Sequence, residues 1–240
     1  MRILVPLIVL SSLSACSASA GDTSTGTRTF PVPGNFDQVT LGGPDNVRVV
    51  TGGTPSIVAT GRNTDLDKIE VELRGSELVV TRDSDAKFRM FSWGTSSHDV
   101  TVTVTVAKPI SGANLKGSGD LNVDQGGGDS FAAELKGSGD LTVAKIISQA
   151  AHLTLAGSGD LKANGQAKSV AIDLAGSGGI DAAGLIAETA QIELRGSGDI
   201  QAHASQSAKV VLKGSGDVTI KGTGNCQSDK RGSGVVHCAP

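Results

Sequence analysis

Through the second half of the chain, apolar and polar residues alternate with a period of two on both sides of a recurring Gly-Ser-Gly. The unit reads Leu-x-Gly-Ser-Gly-Asp-Leu. Its first glycines are Gly117, Gly137, Gly157, Gly176, Gly196, Gly214 and Gly232, spaced 20, 20, 19, 20, 18 and 18 residues apart. Two positions earlier stand Leu115, Leu135, Leu155, Leu174, Leu194, Leu212 and, at the end, Lys230. Four positions later stand Leu121, Leu141, Leu161, Ile180, Ile200, Val218 and Val236. In a strand, residues i and i+2 share a face, so each half of the unit predicts a half-buried strand. The glycines supply the corner between the halves, because a tight bend calls for φ angles that a Cβ resists. Strands this short cannot bury a face alone and must stack on their copies. The pattern predicts an all-β protein whose residues 111–240 form a parallel β-helix (solenoid) of 18–20-residue rungs, with equivalent residues about 4.8 Å apart.

Before residue 113 the alternation continues but loses its regular spacing. Residues 36–41, 47–51, 57–60, 69–73, 78–81 and 100–106 read as strands bounded by Gly, Asn, Asp and Pro. Residues 36–110 are therefore either early, distorted rungs or a less regular β-rich cap on the rod, and a continuous cap is favoured. Residues 21–35 open with a Thr, Ser and Gly-rich stretch that reads as a flexible tether.

Composition narrows the class. Glycine, at 33 of 240 residues, is about twice its ordinary share. Five Phe, one Trp and no Tyr leave a core of thin aliphatic layers. A net charge of −3 with no basic stripe excludes nucleic acid as an expected partner. Residues 1–20 read as a signal peptide: Arg2, then an apolar run from Ile3 to Leu13, too short for a span of about 20 residues. Ala18-Ser19-Ala20 fits ordinary signal peptidase, whereas Leu13-Ser14-Ala15-Cys16 fits a bacterial lipobox that would lipidate Cys16. Cysteine arithmetic favours the lipobox. With Cys16 set apart, Cys226 and Cys238 remain to pair, each six residues from Gly232 at an inward place of the last rung. That disulfide would seal the open end of the rod.

The stretch beginning Phe36-Asp-Gln-Val-Thr-Leu-Gly-Gly-Pro-Asp-Asn-Val-Arg-Val, followed by the serial Gly-Ser-Gly-Asp units, resembles the bacterial putative auto-transporter adhesin, head GIN domain family. The resemblance covers about residues 36–225. It implies an exported β-solenoid, often found on lipoproteins, and it brings no catalytic residues. Gly179 and Val235 depart from the family's Asp.

Candidate chemistry gathers in two places. Three residues after the first glycines lie Asp120, Asp140, Asp160, Asp199 and Asp217. Stacked carboxylates repel by about 1 kcal/mol per neighbouring pair in water, so something must offset them. One candidate is capping of backbone N–H groups of each Asp's own corner. A second is the cation row one residue before the glycine: Lys116, Lys136, Arg195, Lys213 and Arg231. Calcium bridging is a third, although that ion takes roughly six to eight oxygens. A polysaccharide-acting β-helix enzyme using these outward Asp residues is the alternative function, since retaining glycosidases hold two carboxylates about 5–5.5 Å apart. Near-identical units argue against it, because paired catalytic carboxylates need unlike environments.

The second place is the break between strands at 83–98, where Phe88, Arg89, Phe91 and Trp93 form either a binding loop or a hydrophobic cap. His98, His152, His203 and His237 fall in different registers, and no metal-ligand spacing appears. The expectation is a bacterial cell-envelope protein, lipid-anchored in the outer membrane or periplasm or otherwise secreted. It would be a binding, adhesion or structural surface for an envelope glycan or protein, without catalysis or a resident cofactor. Membrane contact would come only through the N-terminal anchor.

Overall fold

The computed structural model describes residues 24–83 and 100–240. Of the described residues 74% lie in strands and 2% in helix, in a parallel β-solenoid of about six turns. Three short strands and five long ones carry the repeat: β8 (Gly112–Gly117), β9 (Asp120–Val123), β10 (Gly126–Gly137), β11 (Asp140–Gly157), β12 (Asp160–Gly176), β13 (Gly179–Gly196), β14 (Asp199–Gly214) and β15 (Val218–Lys221). The last rung is β16 (Cys226–Arg231) and β17 (Val236–Ala239). All pair in parallel with like residues opposed: Leu115, Leu135, Leu155, Leu174, Leu194 and Leu212 form one column, continued by Lys230. Those leucines are fully buried. The unequal spacings of the repeat are absorbed at the bend far from the glycines, where register shifts fall between Val143 and Ile146 and between Ala182 and Ile186.

The first half holds a reordering that the repeat does not announce. β2 (Gln38–Gly43) and β3 (Asn46–Thr51) form a rung in register with β8 and β9: Leu41 opposes Leu115, Gly43 opposes Gly117 and Val47 opposes Leu121. On the other side of that rung lie β6 (Glu77–Arg82) and β7 (Thr101–Val106), again parallel. The later segment thus sits outside the earlier one. Three further strands close that end in antiparallel fashion. β5 (Ile69–Arg74) pairs with β6, β4 (Ser56–Arg62) pairs with β7, and β1 (Thr25–Phe30) pairs with β4. A single helical turn, α1 (Asn63–Leu66), joins β4 to β5. Residues 36–110 therefore contribute both in-register rungs and an antiparallel end layer.

Thr25–Phe30 corrects the tether reading of residues 21–35. Thr, Arg and Phe suit a pleated surface, and β4 offers an unpaired edge that the segment completes. Arg28 also lies over the Phe30 ring, 4.8 Å from its centroid. Among the described residues no helix is long and apolar enough to cross a membrane.

Candidate functional site

The corner column sets the geometry of every outward face. The first glycines have φ between 135° and 152°, and a Cβ on Gly157 would stand 2.0 Å from the Gly137 carbonyl oxygen. The second glycines are excluded from substitution by the same contact: a Cβ on Gly159 would stand 2.0 Å from the Gly139 oxygen. Backbone therefore packs on backbone. The N–H groups of Ser138 and Gly139 both point to the Gly117 carbonyl, at 3.0 and 3.2 Å.

The acidic ladder grows from this corner. Asp199 Oδ1 accepts from the Asp217 N–H at 2.9 Å, and Asp217 Oδ1 from the Val235 N–H at 2.8 Å. Asp160 Oδ1 accepts from the Gly179 N–H at 3.0 Å, and Asp140 Oδ1 from the Asp160 N–H at 3.4 Å. Asn46 takes the same role toward Asp120 at 3.2 Å. Each acceptor thus serves the next rung, not its own corner, which corrects the local capping expected from the sequence. The cation row does not neutralise this ladder either. Lys136 pairs with Glu134, Arg195 and Lys213 with Glu193, and Arg231 with Asp229. The reason is geometric: a cation one residue before the glycine and an acid three before it are i and i+2, on one face of one strand, and Lys213, whose own strand has Val211 there, reaches Glu193 on the preceding rung. The Lys213 hydrogen bond, with the charges of Arg195 and Lys213, lowers the pKa of Glu193 against its partial desolvation.

At the N-terminal end the glycine corner gives way to buried charge. The Arg82 Nε donates to Asp45 Oδ2 at 2.8 Å, its Nη2 to Asp45 Oδ1, and its Nη1 to Asp65 Oδ1 at 3.0 Å. The side chains of Arg82, Asp45 and Asp65 are only 9%, 2% and 7% exposed. Arg62 Nη2 approaches Asp65 Oδ2 at 2.8 Å, and Lys68 lies 3.8 Å from Oδ1. Burial raises the Asp65 pKa, but the Arg82 hydrogen bond and the charges of Arg62, Arg82 and Lys68 outweigh it and leave the carboxyl below its ordinary value. The hydrogen bonds that Arg82 donates to Asp45 raise its pKa against the cost of burial. No motif in the sequence singles out this triad.

The same corner places the ends of the aromatic segment. Val80 opposes Leu41 and Val102 opposes Val47, so these two inward residues are 22 positions apart where Leu115 and Leu121 are six apart. The chain leaves at Asp83, whose N–H donates to the Lys68 carbonyl at 2.8 Å, and returns at buried Val100, whose carbonyl accepts from Asn46 at 2.9 Å. Ser24, the first described residue, accepts from the Asn63 N–H at 3.1 Å. The segment from α1 to Lys68 thus holds both the N-terminal entry and the stem of the insertion. Phe88, Arg89, Phe91, Trp93 and His98 lie outside the described residues, as does Cys16.

A family model described as putative auto-transporter adhesin, head GIN domain, matches residues 35–224. The chain belongs to that family. Among solved structures this head GIN domain is similar to a putative adhesin from Bacteroides fragilis, at 25% identity and a TM-score of 0.79, over 90% of this chain and 97% of the other. A putative lipid binding protein from Parabacteroides distasonis shares the fold at 21% identity and a TM-score of 0.64, over 91% and 98% of the two chains. So does a putative adhesin from Parabacteroides merdae, at 18% and 0.66, over 91% and 97%. No match was found among curated proteins.

The far end of the head GIN domain is closed as its cysteines foretell. Cys226 and Cys238 form a disulfide across the last rung, with Cα atoms 6.5 Å apart. Lys230, standing where earlier rungs place Leu, donates to the Gly234 carbonyl at 2.9 Å. The core column therefore ends in a polar residue. Among the described residues no group of three or more His, Cys, Asp or Glu is placed to hold a metal ion.

Proposed function

We propose that this head GIN domain is an exported cell-envelope protein that recognises a glycan or protein ligand through its outward faces and its terminal aromatic segment, and that it does not turn the ligand over. The observation that carries this reading is the use made of the acidic ladder. Four of its carboxylates are engaged in holding the backbone of the next rung, a structural duty repeated along the rod. A hydrolase needs two carboxyl groups with contrasting environments. The family's adhesin description and the B. fragilis relative point the same way.

In this account Cys16 carries the lipid, and the anchor enters beside α1. The rod's antiparallel end then lies nearest the membrane and the disulfide-closed rung farthest from it. Phe88, Arg89, Phe91 and Trp93 form the adaptable contact, as aromatic and Arg residues do at binding hot spots. Calcium has a place only if ligand binding completes its coordination.

The test is to incubate the purified protein with envelope polysaccharides and measure retention and reducing-end release together, with calcium and with chelator. Retention without release, weakened by the Phe91→Ala, Trp93→Ala double variant, supports the proposal. Release of product that disappears in Asp160→Asn overturns it in favour of the hydrolase. Loss of retention in chelator would add calcium to the site.

A further inference from the structure

The reordered rungs force three chain segments to cross one edge of the rod. Residues 31–37 run from β1 to β2, residues 52–55 leave β3 for β4, and residues 107–111 carry the chain from β7 past the β2–β3 rung to β8. They do not stack as the repeats do, and a cavity lies on each side of the 107–111 crossing. One, of about 440 Å³, is walled by Val32, Phe36, Pro55 and Val106. The other, of about 430 Å³, lies between Pro109 and Ile147 over a floor of Gly126, Gly127 and Gly128. Lys108 and Pro109 line both, so the crossing stands between the two. Each lies within the size range of small-molecule sites, roughly 300–1,000 Å³.

Gly127 creates the notch. In its column the next rungs carry Ile147, Gln166 and Ile186, all outward. A Cβ at Gly127 would stand 3.4 Å from the Pro109 Cβ and 3.2 Å from the Ile147 carbonyl, inside the notch. Gly127 lacks the positive φ found at its neighbour Gly128, so the empty place is not required by backbone conformation. Ile147 remains 58% exposed on the notch wall. Lys108 and Lys145 line the same notch, and among the described residues no carboxylate does and neither lysine makes an ion pair or side-chain hydrogen bond. Asp37, which lines the other cavity, accepts a hydrogen bond from the Ser111 hydroxyl at 3.0 Å.

The notch, apolar along Pro109 and Ile147 and carrying two cations that pair with no described residue, fits a molecule with an anionic head and an apolar chain. We propose that this notch binds a fatty acid, its carboxylate between Lys108 and Lys145 and its chain lying over Gly127 between Pro109 and Ile147. Ion pairing to the ammonium groups orients the ligand, and burial of methylenes supplies most of the affinity. The inference is independent of the adhesion reading, which uses the repeated faces and the opposite edge.

The experiment titrates the purified protein with dansylaminoundecanoic acid, followed by fluorescence, beside its methyl ester and with glucuronate as competitor. One saturable site is expected, with the ester bound about tenfold more weakly, a difference of about 1.4 kcal/mol, and with no displacement by glucuronate. Gly127→Gln, which places in the notch the side chain already present at Gln166, should abolish binding while the protein still unfolds cooperatively, since its Cβ asks the Ile147 carbonyl to move by only a few tenths of an ångström. The exposed Lys108→Gln, Lys145→Gln double variant, which leaves the packing untouched, should bring the acid down to the affinity of the ester. Absence of saturable binding, equal binding of acid and ester, displacement by glucuronate, or full binding by either variant would each overturn the proposal.

Discussion

Gly157 shows why the corner tolerates no side chain. Its φ is 147° and an added Cβ would lie 2.0 Å from the Gly137 carbonyl oxygen. Gly157→Ala is expected to cost on the order of 3 kcal/mol or more, read as a fall in denaturation midpoint. Gly224, with nothing within 4 Å of its Cβ position, should accept Ala within about 1 kcal/mol either way. Equal effects at the two sites would contradict the backbone stacking of the corner. This constraint was legible in the sequence, because a clash between identical backbones leaves the same glycine in every copy. The Asp beside it was only half legible. Its residue type announces an acceptor for backbone N–H groups, but whether it serves its own corner or the next depends on rung stacking.

Elements of the N-terminal half were less legible, and the Arg82 triad explains why. Asp45, Asp65 and Arg82 come from three successive layers whose order in space differs from their order in the chain. A repeat reveals only neighbours that keep sequence order. Leu41-Gly42-Gly43 does hold a rung corner, but Pro44-Asp45 stands where later corners have Ser-Gly. Arg82→Ala would leave Asp45 and Asp65 buried without their shared partner, at an expected cost of about 3–5 kcal/mol. The pH dependence follows from Asp65. Its folded pKa lies below its unfolded value, so its stabilisation is complete above the ordinary carboxylate range near pH 4 and is lost as pH falls through the folded value. Urea midpoints compared at pH 7 and in acid should converge between the natural protein and Asp65→Asn as pH falls. A constant gap would contradict the ion network. The strand β1 was missed for a related reason: Thr, Ser and Gly read as a linker until an open strand edge is known to lie beside them.

At the scale of the whole molecule, each rung touches only its neighbours, so stability is nearly a sum along the rod. The disulfide links residues separated by 12 in sequence and is expected to stabilise the last rung by about 3 kcal/mol. In the Cys226→Ser, Cys238→Ser variant, amide exchange should rise across residues 226–239 while β11 to β13 stay protected. Exchange rising along the entire rod would contradict the local coupling. The inward cysteines in an otherwise periodic rung made this seal readable in advance, whereas the crossing edge became visible only with the rung order known.

Adherence measured with intact bacteria bears most directly on the central claim, that the rod is a recognition surface held at the cell envelope. Cells producing the natural chain would be compared with cells lacking it and with cells producing Phe91→Ala, Trp93→Ala, on immobilised envelope glycans and envelope proteins. The account predicts attachment to at least one of these surfaces that falls when the chain is removed and falls again, at equal protein level, in the double variant. Attachment unchanged by removal of the chain, on every surface, would contradict it.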